Sequence, residues 1–201
     1  HGSRITDHGS RITDHGSRIT NHESRITNHE SSTTGLSTMA KEKFPVSPAT
    51  RCLKHAKVDF TPHLYNYEER GGTTVSAREL EIDEHQVIKT LVMENELRKP
   101  LIVLMHGDLE VSTKELARSI GVKTVSPCNP ETALKHTGYQ VGGTSPFATR
   151  KEMPVYIEAS ISALPRIYIN GGKRGFLVSM TPQAAIDLLK PIMVEVGINR
   201  K

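Results

Sequence analysis

Cysteine is scarce and long apolar runs are missing. Only Cys52 and Cys128 occur in 201 residues, far apart and without a CxxC partner, which excludes a disulfide framework and a zinc ribbon and leaves two reduced thiols. No stretch reaches the roughly 18 uninterrupted apolar residues of a membrane-spanning helix. The first residues also lack the apolar core of a secretory signal. The expectation is a cytoplasmic protein with no membrane association. Neither a GxSxG elbow, nor an HExxH pair, nor a clustered Cys/His set is found, which argues against a serine or zinc hydrolase and for a metal-free site. The phosphate loop GxxxxGKS/T and the dinucleotide signature GxGxxG are missing too, so a nucleotide hydrolase or a Rossmann enzyme is not indicated.

What is present suits one domain of ordinary size. Hydrophobic residues make up 36% of the chain and the net charge is +4, a content that can form a soluble core. The first 38 residues carry four Arg against two Asp and two Glu, so the whole excess belongs to the remaining chain. A mildly basic domain favours an anionic partner such as RNA, though the same balance is common without one.

The chain opens on a seven-residue repeat: HGSRITD twice, then HGSRITN, HESRITN and a degenerate HESSTTG. Each unit has one large apolar residue, Ile5, Ile12, Ile19 or Ile26, where a coiled-coil seam needs two. Residues 1–38 are therefore expected to be a disordered, solvated tail, and the five histidines in it a poor metal site. Near-perfect repetition resembles translated tandem DNA. Met39 followed by Ala40 is the expected start of the native chain, and the domain is expected to cover residues 39–201; an intact-mass measurement on natively expressed protein checks this.

Beyond the tail, Ser47 is placed to cap a helix through about residue 56, and residues 60–67 have the composition of a strand. Residues 74–82 and 83–87 are expected as short helices around a turn. Two apolar runs at 88–94 and 101–106, joined by the charged loop ENELRKP, predict an antiparallel strand pair. Thr113, Leu116, Ala117 and Ile120 recur at helical spacing, with Gly121 as the stop. A second helix should start at Thr181 with Pro182 in its first turn and carry Ala185, Leu188, Leu189 and Ile192 on one face. Short β-prone runs at 155–157, 166–169 and 176–180 lie between. Clustered strands with interspersed helices favour an α/β fold on a mixed or antiparallel sheet over a doubly wound one.

Three segments have the means for chemistry. Lys89 sits inside the run QVIKTLVME on the side shared with Leu91 and Met93; an unpaired buried ammonium costs several kcal/mol, so it either snorkels to water or faces a cleft holding an anion or polar ligand. The segment TGYQVGGTSPF is a structured loop whose adjacent glycines let the backbone approach a ligand and offer amide donors. In YINGGKRG a strand runs into glycines followed by Lys173 and Arg174, two cations that suit phosphate and equally suit a soluble surface. The tripeptide at 106–108, HGD, is expected to be a turn, because neighbours on a strand point to opposite faces and would not form an acid–base pair.

Taken together, IKTL at 88–91, TGYQVGGTSP at 137–146 and GGKRG at 171–175 resemble the YbaK/EbsC family of tRNA-editing proteins, which includes the insertion domain of bacterial prolyl-tRNA synthetases. Order and spacing agree across about residues 47–193. The resemblance implies a compact α/β (α+β) domain with a mixed, barrel-like sheet flanked by short helices. It also implies hydrolysis, without a cofactor, of the ester joining a noncognate amino acid to tRNA. The pattern is nearest to a Cys-tRNA(Pro) deacylase; Ala- or Ser-charged tRNA and a noncatalytic tRNA-binding module are the alternatives. Lys89 corresponds to the family's essential lysine. Gly142, Gly143, Thr144, Ser145 and Pro146 match its GxxxP substrate loop, Tyr65 a pocket tyrosine, and Thr90 follows the lysine in the same motif. Asn170, Gly171 and Gly172 align with a Ser-Gly-Gly turn, and Leu177 stands where relatives carry aspartate. Lys173 and Arg174 are the expected tRNA phosphate contacts. The implied partners are the aminoacylated acceptor end of tRNA and prolyl-tRNA synthetase in a transient complex.

Overall fold

The structure is a computed structural model that describes residues 43–200. The repeat tail and Met39 lie outside them. The first helix, α1 (Pro48–His55), begins as its local chemistry dictates. Ser47 Oγ accepts from Thr50 N at 3.0 Å while Thr50 Oγ1 accepts from Ser47 N at 2.9 Å, a reciprocal cap that satisfies two donors the helix itself leaves open.

Strand β1 (Thr61–Leu64) is half as long as residues 60–67 suggested. Its partner ends at Phe176, so the ladder stops at the Leu64–Phe176 pair, and Tyr65 N instead donates to the Gly175 carbonyl at 3.0 Å. Helix α2 (Gly72–Glu79) starts two residues earlier than expected, and a 3-10 turn at Glu84–Gln86 leads into the next strand. There, β2 (Val87–Asn95) and β3 (Pro100–His106) form the expected antiparallel pair, from Ile88–His106 to Glu94–Pro100. After β4 (Leu109–Val111), helix α3 (Thr113–Ile120) ends on Gly121 at φ 70°, the left-handed stop anticipated for it.

β5 (Val125–Pro127) and α4 (Pro130–Thr137) precede the glycine loop. β6 (Val155–Glu158), β7 (Ile167–Lys173) and β8 (Phe176–Met180) follow it, then α5 (Pro182–Leu189), β9 (Ile192–Val194) and β10 (Gly197–Asn199). α5 does not reach Ile192. Lys190 turns left-handed at φ 47°, and Pro191 cannot continue a helix; Ile192 opens an exposed strand instead.

Eight strands form one mixed sheet in the order β1-β8-β7-β2-β3-β6-β9, with β5 also paired to β2. The β2–β7, β3–β6 and β6–β9 ladders are parallel and the others antiparallel. β10 and β4 form a separate two-stranded ladder. Alternation divides the core. On one face Ile88, Ile102, Leu104, Ile169 and Val178 pack with Ala49 and Leu53 of α1 and Ala185 of α5. On the other, Leu91, Met93, Val103 and Met105 pack with Leu116 and Ala117 of α3, while Val87 and Leu177 pack with Ala77 of α2. Each fully buried Val, Leu, Ile or Met among them stabilises the fold by about 1.5–3 kcal/mol before entropy is charged against it, and each alanine by less. Lys89 belongs to this second face.

Candidate functional site

A cavity of about 660 Å³ opens where β2 meets α2 and the glycine loop. Its floor is β2 from Val87 to Met93; Gly72, Thr73 and Ser76 of α2 form one side. Tyr65 and Tyr67, just past β1, form a second side, and Val141, Gly142 and Thr144 with Asn170, Arg174 and Leu177 form the third. The far end is apolar, built from Pro127, Cys128, Pro130 and Ala133.

Lys89 is half-buried, and its Nζ donates to the carbonyl of Leu109. Burial lowers its pKa below the ordinary lysine value, and the Arg200 guanidinium lowers it further, against the pull of Glu110, Glu84 and Asp108. Of the two outcomes expected for an ammonium in an apolar strand, a snorkel to water or a cleft, Lys89 lines a cleft, and a backbone carbonyl is its polar partner. Thr90, beside it, also lines the cavity, and its Oγ1 is buried without a hydrogen-bond partner among the described residues. Burial also raises the pKa of Tyr65, which further favours its neutral hydroxyl.

The two glycine motifs form one wall. Asn170 Nδ2 donates to the Gly142 carbonyl at 3.1 Å, and Asn170 Oδ1 accepts from Gly172 N at 2.8 Å. Arg174 Nε donates to the Val141 carbonyl at 2.9 Å, with its guanidinium 5.2 Å from the Tyr67 ring centroid. Gly142 sits at φ 86°, and a Cβ there would come within 2.7 Å of Tyr67 Oη. Only glycine satisfies both conditions.

Of the residues expected at the site, Lys89, Thr90, Tyr65, Gly142, Thr144, Asn170 and Arg174 line the cavity. Gly143, Ser145, Pro146, Gly171, Gly172 and Lys173 stand behind or beside it. Ser145 and Pro146 are buried, Gly143 lies against the Lys173–Arg174 backbone, and Gly171 is covered by the Phe176 ring. Gly172, at φ 94°, is pressed between Tyr139 and Ser47. Lys173 is exposed. Their visible task is to shape the wall.

Sequence reasoning missed Tyr67, Arg70, Thr73, Ser76 and Cys128. The Cys128 Sγ lies 3.9 Å from Glu94 Oε2, and burial followed by that carboxylate raises its pKa to about 11. The HGD turn is also only partly a turn. His106 is the last residue of β3 and wholly buried, while Gly107 and Asp108 make the bend. His85 then joins the two: its ring stacks on His106 with centroids 3.7 Å apart, and its Nδ1 lies 2.9 Å from the Asp108 carboxylate. These three groups are close enough to converge on an ion. Both His106 nitrogens are already engaged, however, with the His85 carbonyl at 2.7 Å and Ser160 Oγ at 2.8 Å.

Known proteins resemble this chain in sequence and in fold. The sequence model of the aminoacyl-tRNA editing domain matches residues 69–188. An Enterococcus faecalis protein provisionally named Cys-tRNA(Pro)/Cys-tRNA(Cys) deacylase EbsC is 28% identical over 160 residues, covering 79% of this chain and 98% of the relative. A proline–tRNA ligase of Brachyspira hyodysenteriae is 27% identical over 86 residues, which are 43% of this chain and 15% of the ligase. Among solved structures, one provisionally described as a trans-editing enzyme for prolyl tRNA synthetase superposes with a TM-score of 0.66 at 18% identity, covering 77% of this chain and all of that one. That last likeness is one of fold.

Proposed function

Because this chain belongs to the aminoacyl-tRNA editing domain family, we propose that it is a deacylase acting in trans on mischarged tRNA, with Cys-tRNA(Pro) its foremost substrate. The observation that carries the reading is Lys89, a half-buried ammonium in a cavity walled by both glycine motifs.

Ester cleavage develops negative charge on the carbonyl oxygen, and a preorganised cation in a partly dry site is the group best able to stabilise it. Lys89 holds that place, with amide donors of the glycine loop as its complement. Tyr65 and Asn170 supply polar contacts for the aminoacyl end, while Thr90, its hydroxyl buried, forms part of the floor. For a cysteinyl ester no protein nucleophile is needed. The substrate's thiol gives up its proton as its sulfur attacks its own carbonyl; the C–S bond forms, the C–O bond to the ribose breaks, and the departing ribose oxygen takes up that proton. The products are a cyclic thiolactone and free tRNA. The protein's work is then to hold thiol and carbonyl in attacking geometry. Other amino acids, alanine or serine among them, would be released by water.

Arg174 at the cavity wall and Lys173 outside it are placed for the phosphates of the acceptor end, and the domain that carries them is taken as residues 39–201. Such a small domain has little surface to read a whole tRNA, so selectivity is assigned to a transient complex with prolyl-tRNA synthetase in the cytoplasm.

One observation favours a second reading. Leu177, buried and lining the cavity, stands where the family resemblance led to an acidic residue; with Glu69 the cavity's one lining carboxylate among the described residues and none at position 177, the pocket also suits a noncatalytic tRNA-binding module. Deacylation of a panel of mischarged tRNAs by wild type and Lys89→Ala separates the two. The deacylase reading expects fast release of one amino acid and loss of that release in Lys89→Ala with the circular dichroism spectrum unchanged. Uncatalysed rates throughout the panel would establish the binding module; near-normal rates in Lys89→Ala would remove Lys89 from the chemistry.

A further inference from the structure

Leu109, whose carbonyl receives Lys89, is the last residue of a bend that is clamped from several sides. His106 is bonded to the His85 carbonyl, and Asp108 to the His85 ring. The Gly107 carbonyl lies 3.1 Å from Thr73 Oγ1 and also accepts from Arg200 Nη2. There is no slack at Gly107 itself, because a Cβ there would meet the Glu84 carbonyl at 2.5 Å and Thr73 at 2.9 Å.

Arg200 comes from the far end of the described chain, and the fold brings it there. Glu158 Oε2 accepts from Val196 N and Gly197 N, each at 2.8 Å, which anchors the start of β10. β10 then pairs antiparallel with β4 so that Asn199 lies opposite Leu109. The next residue, Arg200, reaches back over the bend. Its guanidinium contacts Glu84 Oε1 at 3.2 Å, Thr74 Oγ1 at 3.4 Å and the Gly107 carbonyl. Thr73 Oγ1 lies 2.7 Å from the same Glu84 oxygen. One side chain therefore ties the start of α2, the turn before β2 and the 106–109 bend together, around the carbonyl that holds Lys89.

We propose that Arg200 is a positioning residue for Lys89, locking the 106–109 bend so that the Leu109 carbonyl keeps the ammonium aimed at the cavity. This rests on the deacylase reading, in which the Lys89 ammonium stabilises the oxyanion. Arginine suits the role because its rigid fork serves three acceptors at once, which a lysine ammonium on a flexible stem does not. Its charge has a second consequence. The charged groups facing Lys89 are Arg200, Glu110, Glu84 and Asp108, so removal of Arg200 takes away the one cation among them and favours the protonated lysine.

The test compares wild type, Arg200→Ala, Arg200→Lys and Lys89→Ala on the mischarged tRNA that the panel identifies, from pH 6.5 to 10, with uncatalysed ester loss subtracted. Arg200→Ala should lower kcat by about tenfold, since small misplacements of a catalytic group are costly, with KM within about twofold. Its alkaline limb should move to higher pH. Arg200→Lys keeps the charge, so its limb should stay at the wild-type position while kcat recovers only in part. Wild-type kcat and limb in Arg200→Ala would overturn the proposal. So would a parallel loss of kcat and thermal stability that Arg200→Lys does not relieve, for that describes a merely structural bolt. Lys89→Ala keeps the two ideas apart: if it retains the rate, the deacylase mechanism itself falls and the positioning role with it, whereas an inert Lys89→Ala beside a normal Arg200→Ala sinks only the latter.

Discussion

Asn170 donates from Nδ2 to the carbonyl of Gly142 across 3.1 Å, joining two glycine motifs that lie 28 residues apart in the chain. The same side chain accepts from Gly172 N at 2.8 Å, so it faces the loop with its donor and its own strand with its acceptor. Where the family resemblance led to a serine, the longer amide makes both contacts. Asn170→Ala removes both bonds and should destabilise the protein by about 1–3 kcal/mol, at about 0.5–1.5 kcal/mol for each, and lower kcat/KM for deacylation by more than that loss explains. Asn170→Asp keeps the acceptor but loses the donor; it should retain the Gly172 bond and still lose the loop, which the hydrogen-exchange protection of the Gly143 amide, bonded to the Gln140 carbonyl at 2.9 Å, reports.

Gly143 is held for a different reason. A Cβ there would lie 2.8 Å from Arg174 N and 2.9 Å from the Lys173 carbonyl carbon, main-chain atoms that cannot swing aside. Gly143→Ala should therefore push the loop off β7 and cost about 1–3 kcal/mol, as overpacking of a tight contact does. Gly121→Ala is the control: its Cβ meets open space, but φ is 70°, so the cost there is left-handed strain of about 1 kcal/mol without any effect on the site. Thermal melts with deacylation assays on the two variants check both claims.

The parts of this architecture that are local were legible in the sequence. Ser47 caps α1, Gly121 stops α3, and the two apolar runs at 88–94 and 101–106 announce the pairing of β2 with β3. Lys89 stood out because a cation is anomalous in an apolar strand. The missed helix α4 had its signals in plain view, with Asn129 as cap, Pro130 in the first turn and Gly138 left-handed at its end; the dense Gly, Ser and Thr that follow masked them. β4, β5, β9 and β10 have three residues each, too short for alternation to show. Residues 60–67 looked like strand throughout because composition cannot tell where a partner ends. The Arg200, Glu84, Thr73 and Gly107 cluster joins four distant stretches, and no spacing rule finds such a meeting.

Cys128 lines the apolar end of the cavity, yet it should be a poor target for thiol reagents. Its pKa of about 11 against an ordinary value of 9.0 means roughly a hundredfold less thiolate at neutral pH, and the thiolate is the reacting species. Iodoacetamide labelling at pH 8 followed by peptide mass spectrometry should find Cys128 modified far more slowly than a free cysteine under the same conditions. Glu94→Gln removes one of the two causes and should accelerate the labelling; an unchanged rate would mean that burial alone protects the thiol.

His106 gives stability a defined dependence on pH. Its Nδ1 faces the His85 carbonyl and must carry the proton, so in the neutral ring Nε2 accepts from Ser160. Burial lowers its pKa first; the nearby His85 lowers it further, while the bond to the His85 carbonyl and the charges of Asp108 and Glu158 oppose the shift. His63, bonded to Ser179 at 2.9 Å, is lowered as well, by burial and then by Arg166. A folded pKa below the unfolded value near 6.5 means that the unfolded chain binds more protons in the interval between them. The stability contributed by the neutral rings is thus fully present above about pH 6.5, and it is lost as pH falls through the folded values. Melting temperature should therefore drop between pH 7.5 and 5. His63→Asn, which keeps a polar partner for Ser179 without a titrating ring, should flatten part of that drop, and the remainder is shared by His106 and by His136, whose pKa is lowered by burial and then by Lys151 and Lys135. A melting temperature that rises on acidification would overturn this account, because it requires groups whose folded pKa lies above the unfolded value to govern stability in that range.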